Sequence, residues 1–488
     1  MGARIQRREE ERVLAPRYRP RLLCTLLALL PLRAGPQQPP TRQLEVHNTI
    51  PLPSAAHRVG EKAGFYVDPI TGQKVYRLSD RQLCSKSATH IYSYTPQFSP
   101  AGRMVFQCDI RVANYSESIF PVYNSDYTLL TKDLLGLTHF SGPLYGEMQW
   151  SEEREVIYGR DSFRIFEFDP VAKKSKMVVD FSKVELKDPR GKKVPLIGIW
   201  QFIVGAKDRM TVHLQTNGYA QVGVATYDPA AGKIAVMYVP VPGDKAAKGF
   251  DEVHFSQNPK GRMTLVYGDA PNFSYSADLS SRVKYDDNHG HLGYFCGSTG
   301  RCYKVSIRNE TMPDGRAGQI GCKDTNGEMI PPWKPEHAIY DDETGKRVLI
   351  FGCDVAGQFD SNHISRSLGA PDVFGISTDR FTFAPSLQKF YPADEAILRA
   401  VVHYLGQNPS GVTIEPLACH RSATGPRAQW AGRSCDYWSQ PRAAEDHTGT
   451  HFMFDSTMSH PEWPATENGK VKSDCATDVY VVEYTAKK

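Results

Sequence analysis

The chain has 488 residues, of which 40% are hydrophobic, 23% charged and 11% aromatic, the composition of an ordinary globular protein. This composition excludes a disordered, collagenous or coiled-coil chain. Because 58 basic residues nearly balance 54 acidic ones, the net charge is only +4, which disfavours a nucleic-acid partner. The 39 Gly, 34 Pro, 24 Tyr and 22 Phe are typical of short strands joined by turns and predict an all-β fold.

An apolar segment near the N-terminus resembles a secretory signal. It spans residues 22–32, follows an arginine-rich stretch and precedes the small residues Ala34 and Gly35. A membrane anchor is the weaker alternative, because the segment is shorter than the roughly 20 residues that span a bilayer and contains Pro31. We therefore expect a signal peptide and N-terminal extension over residues 1–40, and a secreted or periplasmic protein without a stable membrane span.

The cysteines beyond the signal segment can form disulfide bonds in an exported protein. Cys296 and Cys302 flank a turn-like Gly-Ser-Thr-Gly-Arg and are predicted to pair, with Cys419 and Cys435 as the next candidates. The paired CxxC motifs of a zinc ribbon do not occur, so a structural zinc site of that kind is not predicted.

One hairpin pattern recurs along the chain. It consists of an aromatic residue, usually followed by Ser, then a turn with Gly or charged residues, then a strand with alternating apolar positions. The predicted copies begin at Phe98, Trp150, Trp200, Phe255, Tyr340 and Glu445.

A second turn, Asp-Pro followed by a basic residue, recurs at Asp68, Asp169 and Asp228. Asp begins such a turn by accepting backbone N–H bonds, and Pro presets φ at the next position.

Two different hairpins in each unit of about 50 to 60 residues correspond to four strands, which is the size of a β-propeller blade. Residues 41–488 are therefore predicted to form one all-β domain, a propeller of roughly seven four-stranded blades. The final strand, residues 478–484, is predicted to pair with the segment 75–80, because propellers remove exposed edges by joining both ends of the chain. Long loops around residues 283–335 and 355–395 are expected on the functional face.

The two repeated turns, together with the segment Val75–Asp80, resemble the secreted TolB-like propellers and, among them, the oligogalacturonate lyase family. The resemblance covers nearly the whole mature chain at the level of blades. It implies a seven-bladed propeller and β-elimination at a uronic acid. In that reaction a His base removes the C5 proton, an Arg assists, and a divalent metal held by three His and a Gln neutralises the carboxylate. Neutralising the carboxylate acidifies the neighbouring carbon and stabilises the enolate.

The family's residues were carried over one by one. His291, with His289 as a second candidate, matches the base, and His337 follows 46 positions later as the first metal ligand. Gln440 matches the Gln of a Gln-x-x-His-x-His motif, but Ala443 and Glu445 stand at its two His positions. The resemblance thus implies a divalent metal, manganese or calcium, with the ligands His337, Gln440 and Glu445, and catalytic roles for His289, His291 and Arg442.

Further basic and imidazole side chains are predicted at the axial mouth as substrate-binding residues. An imidazole and a guanidinium together suit an anionic sugar. The candidates are His363, Arg366, His90, His420 and Arg421. For each of them the alternative is a structural role in a loop or at a strand end. Tyr92, Tyr94, Trp150 and Trp200 are predicted to pack in the core, and the acidic run Asp341, Asp342 and Glu343 to be solvated.

Two functions remain open. Gly-x-Ser-x-Gly, Walker and Rossmann motifs are missing from the sequence, which disfavours a propeller peptidase and a nucleotide-dependent enzyme. The first hypothesis is a polysaccharide lyase-like propeller whose partner is an acidic oligo- or polysaccharide. The second is a non-catalytic TolB-like propeller that binds glycans or protein partners in the cell envelope. In both cases we expect a monomer.

Overall fold

The computed structural model describes residues 62–69, 71–85, 87–90, 92–112, 115–142, 144, 147–217, 221–239, 252–256, 258–266, 272–286, 292–311, 317–319, 336–352, 361–378, 396–419, 441–456, 466–467, 470–471 and 477–486. Within these ranges the only α-helix is the four-residue α1 (Leu134–Leu137). Asp133 caps it by accepting from the backbone N–H groups of Leu135 and Gly136, both at 3.1 Å. The predicted all-β class is confirmed for the described residues.

The first eight strands form one hairpin and two three-stranded sheets. The sheets have the orders β3-β5-β6 and β4-β7-β8, while β1 pairs with β2. In chain order the strands are β1 (Gly64–Val67), β2 (Lys74–Arg77), β3 (Ser87–Thr89), β4 (Met104–Val105), β5 (Gln107–Val112), β6 (Tyr115–Ile119), β7 (Val122–Tyr123) and β8 (Leu129–Thr131).

Antiparallel four-stranded sheets follow, with the orders β9 to β12, β15 to β18, β19 to β22, β23-β24-β27-β28 and β29 to β32. The first two of these sheets, with a short hairpin of β13 and β14 between them, comprise β9 (Gln149–Trp150), β10 (Ile157–Arg160), β11 (Arg164–Asp169), β12 (Lys174–Asp180), β13 (Leu186–Lys187), β14 (Lys193–Val194), β15 (Gly198–Val204), β16 (Met210–Gln215), β17 (Gln221–Asp228) and β18 (Lys233–Tyr238).

The next three four-stranded sheets follow, and a separate short hairpin of β25 and β26 lies between β24 and β27 in the chain. Their strands are β19 (Glu252–Phe255), β20 (Met263–Val266), β21 (Phe273–Tyr275), β22 (Arg282–Lys284), β23 (Leu292–Cys296), β24 (Cys302–Ile307), β25 (Asn309–Thr311), β26 (Ala317–Gln319), β27 (His337–Asp341), β28 (Arg347–Phe351), β29 (Ser361–Ile364), β30 (Val373–Thr378), β31 (Ala396–Leu405) and β32 (Asn408–Cys419).

The last sheet combines strands from both ends of the described chain. Its order is β1-β2-β37-β34-β33, and its C-terminal strands are β33 (Ala444–Glu445), β34 (His451–Ser456) and β37 (Asp478–Glu483), with a short hairpin of β35 (Thr466–Glu467) and β36 (Lys470–Val471) between them. β2 pairs with β37 in the register Val75↔Val482, so the predicted pairing of the final strand is confirmed. A buried ion pair of 2.7 Å between Arg77 and Asp478 adds to this junction.

Apolar clusters lie between successive sheets. Val105 packs with Trp150 between the β4-β7-β8 sheet and the next one, and Phe452 packs with Ile397 between the last sheet and the one before it. Tyr123 packs with Val481, so the last sheet also contacts the first. The succession of sheets returns to its start, which is typical of a propeller-like fold.

The recurrent hairpin forms as predicted in most copies. Trp150 pairs with Ile157, Trp200 with His213 and Phe255 with Met263, in each case joining the first and second strands of a sheet. The copy at Tyr340 is different, because its residue pairs with Arg347 and joins the third and fourth strands. Tyr340 therefore opens a hairpin of the second type, in which Asp341 accepts the N–H of Thr344 at 2.8 Å.

Asp169 and Asp228 begin their turns as the sequence predicted. The side chain of Asp169 accepts the N–H of Ala172 at 2.7 Å, and that of Asp228 accepts the N–H of Ala230 at 3.0 Å. Hydrogen bonds from backbone N–H groups to the Asp carboxylate therefore stabilise the second hairpin type in several sheets.

Three burial predictions were wrong. Trp200 is 46% exposed on β15 and does not pack in the core. Asp341 and Asp342 are buried instead of solvated. Asp342 accepts hydrogen bonds from Ser256 Oγ at 2.8 Å and Tyr285 Oη at 2.9 Å, and these neighbours from the adjacent sheet compensate its desolvation.

Two disulfide bonds are present in the described residues. Cys296–Cys302 is the bond predicted from the sequence, and it joins the paired ends of β23 and β24. The second, Cys84–Cys108, was not predicted. Cys419 is buried at the end of β32, and its predicted partner Cys435 lies outside the described residues.

The described part of the chain contains no helix that is long and apolar enough to cross a membrane.

Candidate functional site

Six side chains from separate parts of the chain form a histidine–tyrosine cluster, defined here as His90, Tyr92, Tyr94, His254, His363 and Arg442. Each of them is at most 7% exposed. His254 lies in β19 and His363 in β29, and Arg442 lies two residues before β33. Each of these three strands is an edge strand of its sheet, and such strands contact one another from sheet to sheet, as β15 does with β9 and β19. The fold therefore brings residues that are distant in sequence into one polar centre.

Tyr92 is the residue that connects the cluster. Its phenol oxygen is hydrogen-bonded to Nε2 of His363 at 3.1 Å, and the two rings meet edge-on at an angle of 79°. The guanidinium of Arg442 lies over the same phenol ring, 5.2 Å from its centroid. A tight turn, in which Thr95 Oγ1 donates to the carbonyl of Tyr92 at 2.7 Å, fixes the backbone here. The cation, the phenol and the imidazole are thus held in mutual contact.

A second row of rings extends from Tyr92 towards β19. Tyr94 contacts Tyr92 at a centroid distance of 4.4 Å and His254 at 4.0 Å. Gln201 donates a hydrogen bond to the phenol oxygen of Tyr94, and His213 on β16 is buried nearby, with its pKa lowered by burial and by the charges of His254 and Arg160. Burial beside this row therefore disfavours protonation of His213.

Burial and Arg442 determine the charge of the cluster. Burial and, to a smaller extent, the positive charge of Arg442 lower the pKa of His90 to about 3, so His90 is neutral at pH 7. Its backbone N–H donates to Oδ1 of Asp455 at 3.0 Å. Burial raises the pKa of Asp455 to about 7, against the opposing effects of the His90 N–H bond and Arg442. Arg442 is therefore the permanent cation beside a neutral imidazole.

The repeat contains a signal for buried polar residues that our sequence analysis did not use. Gln97, Gln149 and His254 each stand directly before the aromatic residue of a recurrent hairpin, and each is at most 1% exposed. Because side chains alternate along a strand, this position lies on the face opposite the aromatic residue. Gln149 uses it to donate to the carbonyl of Phe202 at 2.5 Å, and His254 uses it to join the cluster.

Two members of the predicted metal set, His337 and Glu445, lie within the described residues, and Gln440 lies outside them, so the metal site stays a prediction. His337 begins β27, the third strand of its sheet, and its ring packs against Phe351 with centroids 5.4 Å apart. Glu445 accepts from Ser365 Oγ at 2.9 Å, and burial raises its pKa to about 8. Within the described ranges, no group of three His, Cys, Asp or Glu could hold a metal ion.

Arg366, predicted to bind substrate, is 2% exposed and contacts protein groups from several sheets. Its guanidinium donates to the carbonyl of Val204 at 2.6 Å and forms an ion pair with Glu152, and its backbone N–H donates to the carbonyl of Ser93 at 3.2 Å. These contacts join the segment after β29 to the sheet of β9 to β12 and to the sheet of β15 to β18.

The remaining predicted site residues lie outside the described residues, and their roles stay predictions: His289, His291, His420, Arg421 and Gln440.

The fold is similar to that of a known lyase. The crystal structure of oligogalacturonate lyase from Vibrio parahaemolyticus aligns with 86% of this chain and 97% of its own, at 11% identity and a TM-score of 0.51. At this identity the likeness shows the fold alone, which is all-β and propeller-like. No protein-family model and no curated protein sequence matches the chain.

Two other structures align less well and carry no argument. They are a mitotic checkpoint complex, at 8% identity over 82% of this chain and 94% of the other with a TM-score of 0.43, and Kuenenia stuttgartiensis hydrazine synthase, at 10% identity over 75% and 94% with a TM-score of 0.36.

Proposed function

We propose that the protein is a secreted, seven-bladed propeller that binds a uronate-containing oligo- or polysaccharide at the histidine–tyrosine cluster and cleaves it by β-elimination. The observation that carries the proposal is the contact of Arg442, Tyr92 and His363 in one group. The packing of the last sheet against the first supports the propeller, and the fold-level likeness to oligogalacturonate lyase is compatible with the reaction.

Arg442 is the residue that supplies the carboxylate-binding charge in this proposal. A guanidinium matches a carboxylate bidentately, and its pairing with the uronate carboxylate would make the C5 proton more acidic. Arg442 is buried, so this attraction acts in a low dielectric, where it is stronger than in water. The function is thereby compatible with a protein of nearly zero net charge, because the attraction is local.

In this proposal His363 is the general base and Tyr92 is the general acid. Neutral His363 takes the C5 proton, the electrons of the C5–H bond form the C4–C5 double bond, and the C4–O bond breaks. The leaving oxygen receives a proton from the phenol of Tyr92. The 3.1 Å hydrogen bond between Tyr92 and His363 then lets the phenol recover a proton from the imidazole. No step requires a metal, and His289 or His291 stay the alternative predicted bases.

The reaction is tested by the ultraviolet absorbance of an unsaturated uronate product. Pectic, ulvan-like and glucuronate-bearing substrates are each incubated with the full chain, with and without chelator. We expect product from at least one substrate, unchanged by chelator, and a loss of about 10²-fold or more in Arg442→Lys, which keeps the charge but loses the bidentate geometry. No product from any of these substrates would refute the lyase function, and product that vanishes with chelator would refute the metal-free chemistry.

A second function is favoured by one observation, the burial of the cluster. Because none of its six side chains is more than 7% exposed, the cluster also suits a structural centre in a non-catalytic propeller that binds glycans or envelope proteins elsewhere. Retained glycan binding by a variant with Ala at His363, in the absence of any product from wild type, would favour this alternative.

A further inference from the structure

A pocket separate from the histidine–tyrosine cluster lies where the first and last recurrent hairpins meet. It has a volume of about 390 Å³ and is lined by the turn after Phe98, by the β7–β8 turn with Tyr127, and by the β33–β34 turn from Asp446 to His451. This volume is in the range of small-molecule sites, roughly 300–1,000 Å³. Asp446 follows β33 and Arg442 precedes it, so the pocket and the cluster lie towards opposite ends of this strand.

Tyr127 is the residue in the pocket that indicates a ligand. Its side chain is only 6% exposed, and its phenol oxygen is buried without a hydrogen-bond partner among the described residues. Its ring stacks on Tyr76 with centroids 3.6 Å apart, which holds the phenol in place. A buried hydroxyl without a partner destabilises the protein, so a ligand that bonds to it would gain that interaction.

The charges around the pocket exclude a strongly ionic ligand. The lining contains no Lys or Arg, and nearby Arg103 is paired with Glu155 at 2.6 Å. The one lining carboxylate, Asp446, already accepts from Thr448 Oγ1 at 2.7 Å and His451 Nδ1 at 2.8 Å, as well as from three backbone N–H groups. It therefore has little remaining capacity for a cation, and it repels an anion.

The uncharged lining has two parts, one apolar and one polar. Phe98, Pro100 and Met104 provide apolar surface, while the hydroxyls of Ser125 and Thr450 lie at the polar side. Nδ1 of His451 is hydrogen-bonded to Oδ2 of Asp446 at 2.8 Å, which holds the imidazole at the wall of the pocket. The C–H faces and hydroxyl edges of a pyranose complement such a mixed surface.

We propose that this pocket binds a neutral monosaccharide unit, with Tyr127 as a hydrogen-bonding anchor. The proposal does not depend on β-elimination at the cluster. Because residues from the first sheet and the last sheet line the pocket, the sugar would bridge the two sheets at the junction.

Titration calorimetry with galactose, glucose and xylose, and with galacturonate as the charged comparator, tests the proposal. We expect saturable binding of a neutral sugar, weaker binding of galacturonate, a five- to tenfold loss of affinity in Tyr127→Phe, and no binding in Ala101→Trp, which fills the pocket. Tyr484→Phe is the matched control, since its phenol donates to Glu415 away from the pocket, and it should bind like wild type.

Tyr127→Phe should fold normally, because it removes a hydroxyl that has no described partner. Absence of saturable binding by all three neutral sugars would overturn the proposal, as would equal affinity in wild type, Tyr127→Phe and Ala101→Trp. Galacturonate binding that is tighter than galactose binding and is lost in Ala101→Trp would overturn the neutral class. Failure of the lyase assay alone leaves these outcomes unchanged, so the two proposals fail separately.

Discussion

The guanidinium of Arg442 lies 5.2 Å from the ring centroid of Tyr92, and these two residues are 350 positions apart in the chain. Arg442 precedes β33 in the last sheet, whereas Tyr92 lies in the turn before β4. β2 and β37 join strands from both ends of the described chain in that sheet. The candidate site thus combines residues from the N-terminal and C-terminal parts of the described chain.

Tyr92→Phe should reduce β-elimination by about 10²-fold or more, while leaving the stacking with Arg442 in place. The substitution removes only the phenol oxygen that is bonded to His363. The measurement is the rate of unsaturated-uronate formation at saturating substrate, and Tyr484→Phe serves as the control. A wild-type rate in Tyr92→Phe would contradict the role of the phenol.

Arg442→Gln should raise the pKa of Asp455 above its value of about 7, because the charge of Arg442 opposes the larger effect of burial on this carboxyl. The side-chain carboxyl resonance of Asp455, followed by NMR against pH, gives the shift directly. Arg399→Gln, which removes a partly exposed partner of Glu415, is the control and should leave Asp455 unchanged. An unchanged pKa for Asp455 in Arg442→Gln would show that the two groups do not interact.

The free energy of unfolding should fall as the pH rises from 6.5 to 8. Burial raises the pKa of Glu445 from 4.5 to about 8, so in this range the folded state binds the proton and the unfolded state does not. The contribution of Glu445 to stability is therefore fully present below its unfolded pKa of 4.5 and is lost as the pH rises through its folded pKa of about 8. Between pH 6.5 and 8 the loss is about 2 kcal/mol. Asp455 contributes in the same direction up to about pH 7, and the depressed pKa of His90, about 3, acts only below 6.5.

Glu445→Gln isolates this effect. Because Gln resembles the protonated carboxyl, most of the decline above pH 6.5 should disappear from urea unfolding curves of the variant. Glu415→Gln, at a partly exposed position, should retain the wild-type slope. A wild-type slope in Glu445→Gln would mean that Glu445 ionises normally in the folded protein.

Arg77→Met should destabilise the protein by about 3–5 kcal/mol, because it leaves the carboxylate of Asp478 buried without its ion-pair partner. The two side chains are 5% and 2% exposed and join the N- and C-terminal strands. Urea unfolding measures the loss. The control is Lys193→Met, whose exposed pair with Glu185 should contribute little to stability. Equal effects of both variants would argue against a stabilising junction.

Removal of the Cys84–Cys108 disulfide should cost more stability than removal of Cys296–Cys302. In the chain-entropy model the cost rises with loop length, and the sequence separations are 24 and 6. The paired variants with Ala at both cysteines, compared by denaturant unfolding, should differ by about 1 kcal/mol. The reverse order would show that strain or residual structure outweighs loop closure.

The sequence by itself determined the features that depend on neighbouring residues. The Asp turns, the hairpins that begin at Trp150 and Phe255, and the Cys296–Cys302 bond follow from short-range patterns, because turn geometry and strand alternation are local. The pairing of the final strand was also predictable, since a ring of sheets leaves its first and last strands as each other's available partners.

Only the tertiary structure decided which buried polar residues meet. Alternation along a strand says which face a side chain occupies, but not which sheet lies opposite that face. It therefore could not reveal that His254 and His363 join Tyr94 and Tyr92, or that Arg366 contacts Val204 and Glu152. The same limit explains why the hairpin at Tyr340 differs from the prediction, since its type depends on how many strands precede Tyr340 in its sheet.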